Sequence, residues 1–273
     1  MKELQKKELY ISTAEKGGVG KTTAAQNIMP VIIYRKTADE KLKGNLQFNI
    51  VEIDDNAAHN TWSSEKISYK KYDVSEYKDA IVQIQRTFAN SNTVEILDIG
   101  GGGDKTKQLL QHISKMRLDE IFNLNFIVPT NRDTAIYQST KSTLELIHSL
   151  FGCKSTLVYN KVVNNVNEEF QAFFGNPKFK IKSRFAEIEK YVKDEWIVYD
   201  DIHSLLGNSI NETKQSTLDF YINAEYIVNN WIQYRLEALN SENENAIDEA
   251  MRIYDISYDF IDFFKKINFE VKR

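Results

Sequence analysis

The chain has 273 residues, 42% of them hydrophobic and 27% charged, with a net charge of -4. That supports one large α/β domain, or a domain with an appendage, and excludes a globally basic nucleic-acid binder, so any such surface must be a local patch. The single cysteine, Cys153, excludes an intramolecular disulfide and agrees with a reducing cytosol; no apolar run approaches the roughly 18 residues of a membrane span, and the start MKELQKKEL has no signal-peptide core.

Residues 8–12 are predicted as the first strand and 21–36 as the first helix, with Pro30 inside the pattern. A proline there removes an N–H and is expected to end the helix near Met29 or kink it. Residues 48–53 form the next predicted strand, which delivers Asp54, Asp55 and Asn56 at its carboxyl end, where open α/β sheets bind ligands. Residues 57–75 are polar and read as irregular. Ser75 to Ala89 has helical spacing, with Ile81, Ile84 and Phe88 on one face. Residues 94–99 form a third strand, ending in the run Gly100 to Gly103, and Asp104 is expected to cap a helix through Met116. A fourth strand at 124–128 is expected to stop at Pro129. A helix from Thr134 to Leu150 leads to a fifth strand at 155–159.

Beyond Lys161 the pattern is weaker, with short helices expected at 167–174 and 183–193 and a late strand at 196–199. Ser216 to Leu239 and Ala246 to Ile267 read as long helices, split by Asn240 to Asn245. Alternating strands and helices predict a doubly wound, mostly parallel sheet with helices on both faces. The expected organisation is one domain over 1–273, with the C-terminal helices, about 212–273, packed on it or forming a small appendage.

One stretch carries chemistry by itself: Glu15-Lys16-Gly17-Gly18-Val19-Gly20-Lys21-Thr22-Thr23. It lies between the first strand and the first helix, as a phosphate-binding loop must. Gly17, Gly18 and Gly20 let backbone N–H groups close on phosphate oxygens, and the helix adds its positive N-terminal end. Lys21 would reach the β- and γ-phosphates, and Thr22 would bind Mg²⁺. Asp98, ending a hydrophobic strand before glycines, stands where a carboxylate holds the metal's water shell. Glu15 occupies the place of the usual first glycine, and an acid beside phosphates must point away or meet a cation.

The K-G-G-x-G-K-T-T form, from Lys16 to Thr23, resembles the deviant Walker A motif of the ParA/MinD family of ATPases, and the resemblance spans roughly residues 8–165. It implies a P-loop NTPase fold, ATP and ADP as nucleotides, Mg²⁺, and slow hydrolysis coupled to dimerisation. Gly17 through Thr23, including Val19, would hold the nucleotide, and Lys16 would cross to the partner subunit's ATP. Glu52-Ile53-Asp54-Asp55-Asn56 resembles the family's D-x-D-P-Q segment. Asp54 falls on the second aspartate, which positions the attacking water and assists at the metal, with Asp55 as its competitor. Asn160 matches the asparagine that reads adenine, and the alternative is a strand-ending turn. Pro129-Thr130 resembles a loop near the dimer interface.

The implied uses are plasmid or chromosome partition with ATP-dependent, non-specific DNA binding, a membrane-positioning switch, or a conjugation or mobilisation accessory. A partner protein would stimulate hydrolysis. The expected location is cytoplasmic, on the nucleoid if the use is partition. Lys178, Lys180, Lys182, Arg184, Lys190 and Lys193 form a basic run suited to DNA phosphates or to a solvated face. Lys105, Lys107, Lys115 and Arg117 form a second cluster. The last helix carries Ile253, Ile256, Phe260, Phe263, Phe264 and Ile267 at helical spacing, with Lys265, Lys266, Lys272 and Arg273 near its end. Its Asp255, Asp259 and Asp262 oppose an anionic membrane, so core packing is the expected role and the membrane the lesser alternative.

Overall fold

A computed structural model describes residues 6–55, 62–87, 92–202, 205, 214–241 and 245–271, with side chains as far as 267. Asn56, Phe88, Ala89, Lys272 and Arg273, part of the polar stretch 57–75 and residues 242–244 lie outside this set. The described residues form one eight-stranded sheet in the order β3-β2-β4-β1-β5-β6-β7-β8. Its strands are β1 Lys7–Thr13, β2 Gln47–Ile53, β3 Ile67–Tyr72, β4 Thr93–Ile99, β5 Phe122–Thr130, β6 Thr156–Asn160, β7 Glu195–Tyr199 and β8 Asn268–Val271. β1 to β7 are mutually parallel, and β8 pairs antiparallel with β7.

The central strands are mostly apolar because both faces are covered, as parallel sheets require. Leu9, Ile11, Val51, Ile53, Leu97, Ile99, Phe126 and Val128 point to one core, with α3 (Tyr77–Thr87), α4 (Asp104–Lys115) and α6 (Ile136–Phe151). Phe48, Ile50, Ile96, Ile127 and Val158 point to the other, with the helix after β1 and the C-terminal helices. This is the doubly wound architecture expected from the alternation of elements. Its winding reverses at β1, whose neighbours are β4 and β5, so the loop after β1 opens into the crevice where such sheets bind ligands.

Several local expectations are corrected. The helix after β1 changes at Met29, beside the proline, as expected, and continues beyond it. It runs as wide π turns over Thr23–Ile28 and as α1 over Met29–Lys36, and this change of ladder absorbs the missing N–H. A small helix, α2 (Glu40–Asn45), precedes β2. Within the stretch read as irregular, Ile67–Tyr72 is an edge strand whose lysines mark it as such. Gly103, at φ 49, takes the capping position, and Asp104 is the first residue of α4. α5 (Leu118–Ile121) leads into β5, which continues through Pro129 to Thr130. The pairing of β5 with β1 has already ended at Ile127, so that edge asks no N–H of Pro129. Residues 167–174 hold α7 (Val166–Glu169) and α8 (Gln171–Phe174), whereas 183–193 holds only 3₁₀ turns.

The helix expected over 216–239 breaks at Asn230 into α9 (Thr217–Asn229) and α10 (Trp231–Leu239). In α11 (Ala246–Lys266) the side chains of Phe260 and Phe264 are completely buried in the second core. The apolar face of the last helix is therefore committed to packing.

Candidate nucleotide site

The loop from Glu15 to Thr22 leaves β1 at the carboxyl edge of the sheet. Gly18 and Gly20 take φ values of 73° and 99°, a region that favours glycine. Val19 is buried with Ala14 and Ile136, which pins the middle of the loop against α6. A Cβ on Gly20 would lie 2.4 Å from Nδ2 of Asn160, so its missing side chain lets β6 approach. Lys21 is buried, and its Nζ donates to the backbone oxygen of Lys16 at 3.1 Å. Burial pulls the Lys21 ammonium below its ordinary range, opposed by Asp98 and Asp54. The site is thus poised to gain from an anion that restores solvation to this cation.

Asp98 sits in a row of polar side chains that runs across the sheet. In register, Lys71 of β3 faces Glu52 of β2, Glu52 faces Asp98 of β4, and Asp98 faces Ser12 of β1. In-register residues of parallel strands share a face, so the row lies under the helix that follows the loop. Lys71 pairs with Glu52 at 2.8 Å, Tyr69 donates to the same carboxylate at 2.6 Å, and Gln26 donates to it at 2.8 Å. Ser12 donates to the backbone oxygen of Lys21 at 2.9 Å, tying the row to the loop. Burial, and next the neighbouring Glu52, push the Asp98 carboxyl up to about 7, against a hydrogen bond from Thr22 and the charge of Lys21.

The residues fit a bound Mg²⁺. Asp98 is fully buried near Thr22 and accepts from Gln26 at 3.5 Å on Oδ2, yet its Oδ1 has no hydrogen-bond partner. A buried, unsatisfied carboxylate oxygen beside a threonine hydroxyl is costly alone and is a hard donor set for that ion.

Asp54 and Asp55, adjacent in sequence, are separated by their partners. Asp54 accepts from the Gly101 N–H at 3.1 Å, and a Cβ on Gly100 would lie 2.4 Å from its Cγ. Gly100 therefore gives Asp54 its place against the loop after β4. Asp55 is ion-paired with Lys105 and accepts from the Val74 N–H. Both line a cavity of about 830 Å³ together with the loop glycines, Lys21, Thr22, Thr23 and Asn160.

The structure resolves the role of Glu15. Its carboxylate accepts from Ser142 of α6 at 2.9 Å and lies 3.8 Å from Nζ of Lys107 of α4. The acid points away from the cavity and meets a cation. Asn160 is buried, and Nδ2 donates to the Val19 carbonyl at 3.2 Å, so the amide props the loop from behind. Lys16 is exposed at the loop's outer rim. Tyr69 and Lys71 were missed from sequence, and the alternation of β3 was the signal that could have found them.

The glycine-rich loop thus stands between a strand and a helix at the switch point of a doubly wound sheet. No protein-family profile matches the chain, and no curated protein does. Among solved structures it is similar to the MinD cell division protein of Aquifex aeolicus, at 12% identity and a TM-score of 0.45, covering 93% of this chain and 97% of that one. A MinC:MinD cell division protein complex from the same organism gives 13% identity and 0.44, covering 91% and 96%. A LAO/AO transport system kinase gives 11% and 0.36, covering 92% and 82%. Likenesses this remote carry no functional argument, which rests on the site itself.

Asp98 generates a pH-dependent expectation. Its folded-state affinity for the proton is raised, so the stability it contributes when protonated is present at acid pH and is lost as pH rises through about 7. Asp98→Asn removes that loss. Urea unfolding without metal should show the variant gaining on the parent by on the order of 1 kcal/mol between about pH 5 and about pH 8. A difference that stays constant with pH contradicts the assigned environment.

Proposed function

We propose that the protein is a Mg²⁺-dependent ATP hydrolase that acts as a switch and dimerises on ATP. The observation that carries this reading is the buried Asp98 with its unpartnered oxygen, set beside Thr22 at the mouth of the loop. Thr22 and Asp98 would hold the metal, with Asp54 assisting. Bound Mg²⁺ neutralises charge on phosphate oxygens. Lys21 exchanges its bond to the Lys16 carbonyl for the β- and γ-phosphates. Asp54 orients the attacking water, as the sequence resemblance implies: the Gly101 N–H sets its carboxylate at the cavity wall, whereas the carboxylate of Asp55 is ion-paired with Lys105. Most of the rate then comes from positioning and electrostatics. Asn160, already against the loop, has amide capacity left to read adenine.

Lys16 supports the dimer. It is exposed and makes no ion pair among the described residues, and binding phosphate within one subunit does not need it. Its stem and compact charge suit a reach across an interface, where it would act much as an arginine finger does. Partition, membrane positioning and a mobilisation accessory remain the uses that the sequence resemblance implies, with a partner protein stimulating turnover. The exposed lysines at 178, 180 and 182 favour a use that holds a polyanionic surface, DNA or lipid, over one that holds neither.

Lys16→Gln should keep ATP binding by the monomer but lose ATP-dependent dimerisation, read by sedimentation with a non-hydrolysable analogue. A variant that still dimerises and turns over ATP at the parent rate removes the crossing lysine. Asp54→Ala should bind ATP and hydrolyse it about 100-fold more slowly, with Asp55→Ala close to the parent. The reverse pattern would make Asp55 the carboxylate that faces the water.

A further inference from the structure

Three of the six cations in the basic run are already committed. Arg184 lies over the Tyr137 ring and pairs with Glu187, Lys190 lies over the Tyr191 ring, and Lys193 donates to Asn125. Lys178, Lys180 and Lys182 are exposed and make no ion pair among the described residues. They alternate with Phe179 and Ile181, which are 71% and 39% exposed. Five successive residues thus present a lysine, an aromatic, a lysine, an aliphatic and a lysine to solvent.

The turn that carries them is closed and rigid. Asn176 and Ile181 exchange both backbone hydrogen bonds, at 2.8 and 3.0 Å, and Pro177 fixes the turn between them. The Asn176 side chain accepts from the Lys178 N–H at 3.1 Å. At the neck, Gly175 has φ 77°, and a Cβ there would lie 2.6–2.9 Å from the returning backbone. Arg184 and Ser183 fasten the neck to the Phe173 carbonyl. Lys180 holds φ 56°, a strained region for a lysine at a position where glycine would be free of cost. Strain, a fixed turn and an aromatic left in water together mark a contact point rather than a solvated loop.

We propose that the Asn176–Ser183 turn is an insertion finger for anionic lipid surfaces. Phe179 and Ile181 enter the boundary between headgroups and acyl chains, and Lys178, Lys180 and Lys182 stay with the headgroup phosphates, their stems lying along the apolar side chains. Duplex DNA offers the same phosphates but no ready place for Phe179. A wedge there must unstack a base step, and three phosphate contacts give little to offset that. The C-terminal helix does not compete for the role, because Phe260 and Phe264 are spent on the core. The inference rests on the turn alone and does not require the nucleotide reading.

Co-sedimentation of the full chain with phosphatidylcholine vesicles, with and without about a third phosphatidylserine, tests it, without nucleotide and with Mg²⁺-ATP. Expected is binding to the anionic vesicles only, weakened about tenfold or more by Phe179→Ser and also by the triple change of Lys178, Lys180 and Lys182 to Gln. All these side chains are exposed, and circular dichroism of each variant verifies that the fold is kept. Equal binding to neutral vesicles, or full binding by Phe179→Ser, overturns the proposal. So does absence of vesicle binding together with retention on duplex DNA that the lysine change abolishes and Phe179→Ser leaves intact. Lipid binding that survives without nucleotide supports the finger even where the ATPase reading fails.

Discussion

Asp98 is buried in the middle of the sheet, and a carboxylate there must be compensated or protonated. Its surroundings answer that demand in two halves. On one side Glu52 would add repulsion, but Lys71, Tyr69 and Gln26 hold that carboxylate on three fixed donors. On the other side Thr22 and Lys21 belong to the glycine-rich loop, whose backbone is tied to the same row through Ser12. The arrangement of the strands meets this constraint. β3 must lie beside β2 to bring Lys71 to Glu52, and β4 must lie between β2 and β1 to bring Asp98 under the loop. What is left uncompensated is one oxygen of Asp98, at the point where a cation would complete the set.

The two lysines of the loop are linked. Lys21 rests on the backbone carbonyl of Lys16, so the group proposed to bind phosphate within the subunit also fixes the segment that carries the exposed lysine. Moving Lys21 to a phosphate releases that carbonyl. Glu15, held by Ser142 and Lys107, anchors the other end of the segment between α4 and α6. On the proposed reading, a phosphate that drew Lys21 away would act directly on the segment that carries Lys16.

Much of this was legible in the sequence, for identifiable reasons. The loop is nine contiguous residues, and its chemistry is local. β1, β2, β4, β5, β6 and β7 read as strands because burial on both faces makes them short segments rich in apolar residues. β3 did not, because an edge strand with the sequence Ile-Ser-Tyr-Lys-Lys-Tyr is half polar, and its lysine is paid for by a glutamate on another strand. Glu15 looked anomalous because its partners lie about 90 and 127 residues away in sequence. The break at Asn230 and the 3₁₀ turns over 183–193 depend on tertiary packing, which periodicity does not report. Six basic residues looked alike in the sequence, and only their partners separated three bound cations from three that make no ion pair among the described residues.

The central claim is that the loop and the polar row beneath it bind a nucleoside triphosphate with Mg²⁺. Calorimetric titration of the parent and of Lys21→Ala with ATP, each with Mg²⁺ and with a chelator, tests it most directly. The account predicts binding by the parent that is strengthened by Mg²⁺, and loss of tight binding in Lys21→Ala, whose site no longer offers its main cation to the phosphates. An affinity in Lys21→Ala within about twofold of the parent, a difference of about 0.4 kcal/mol, would contradict it and place any nucleotide site elsewhere on the molecule.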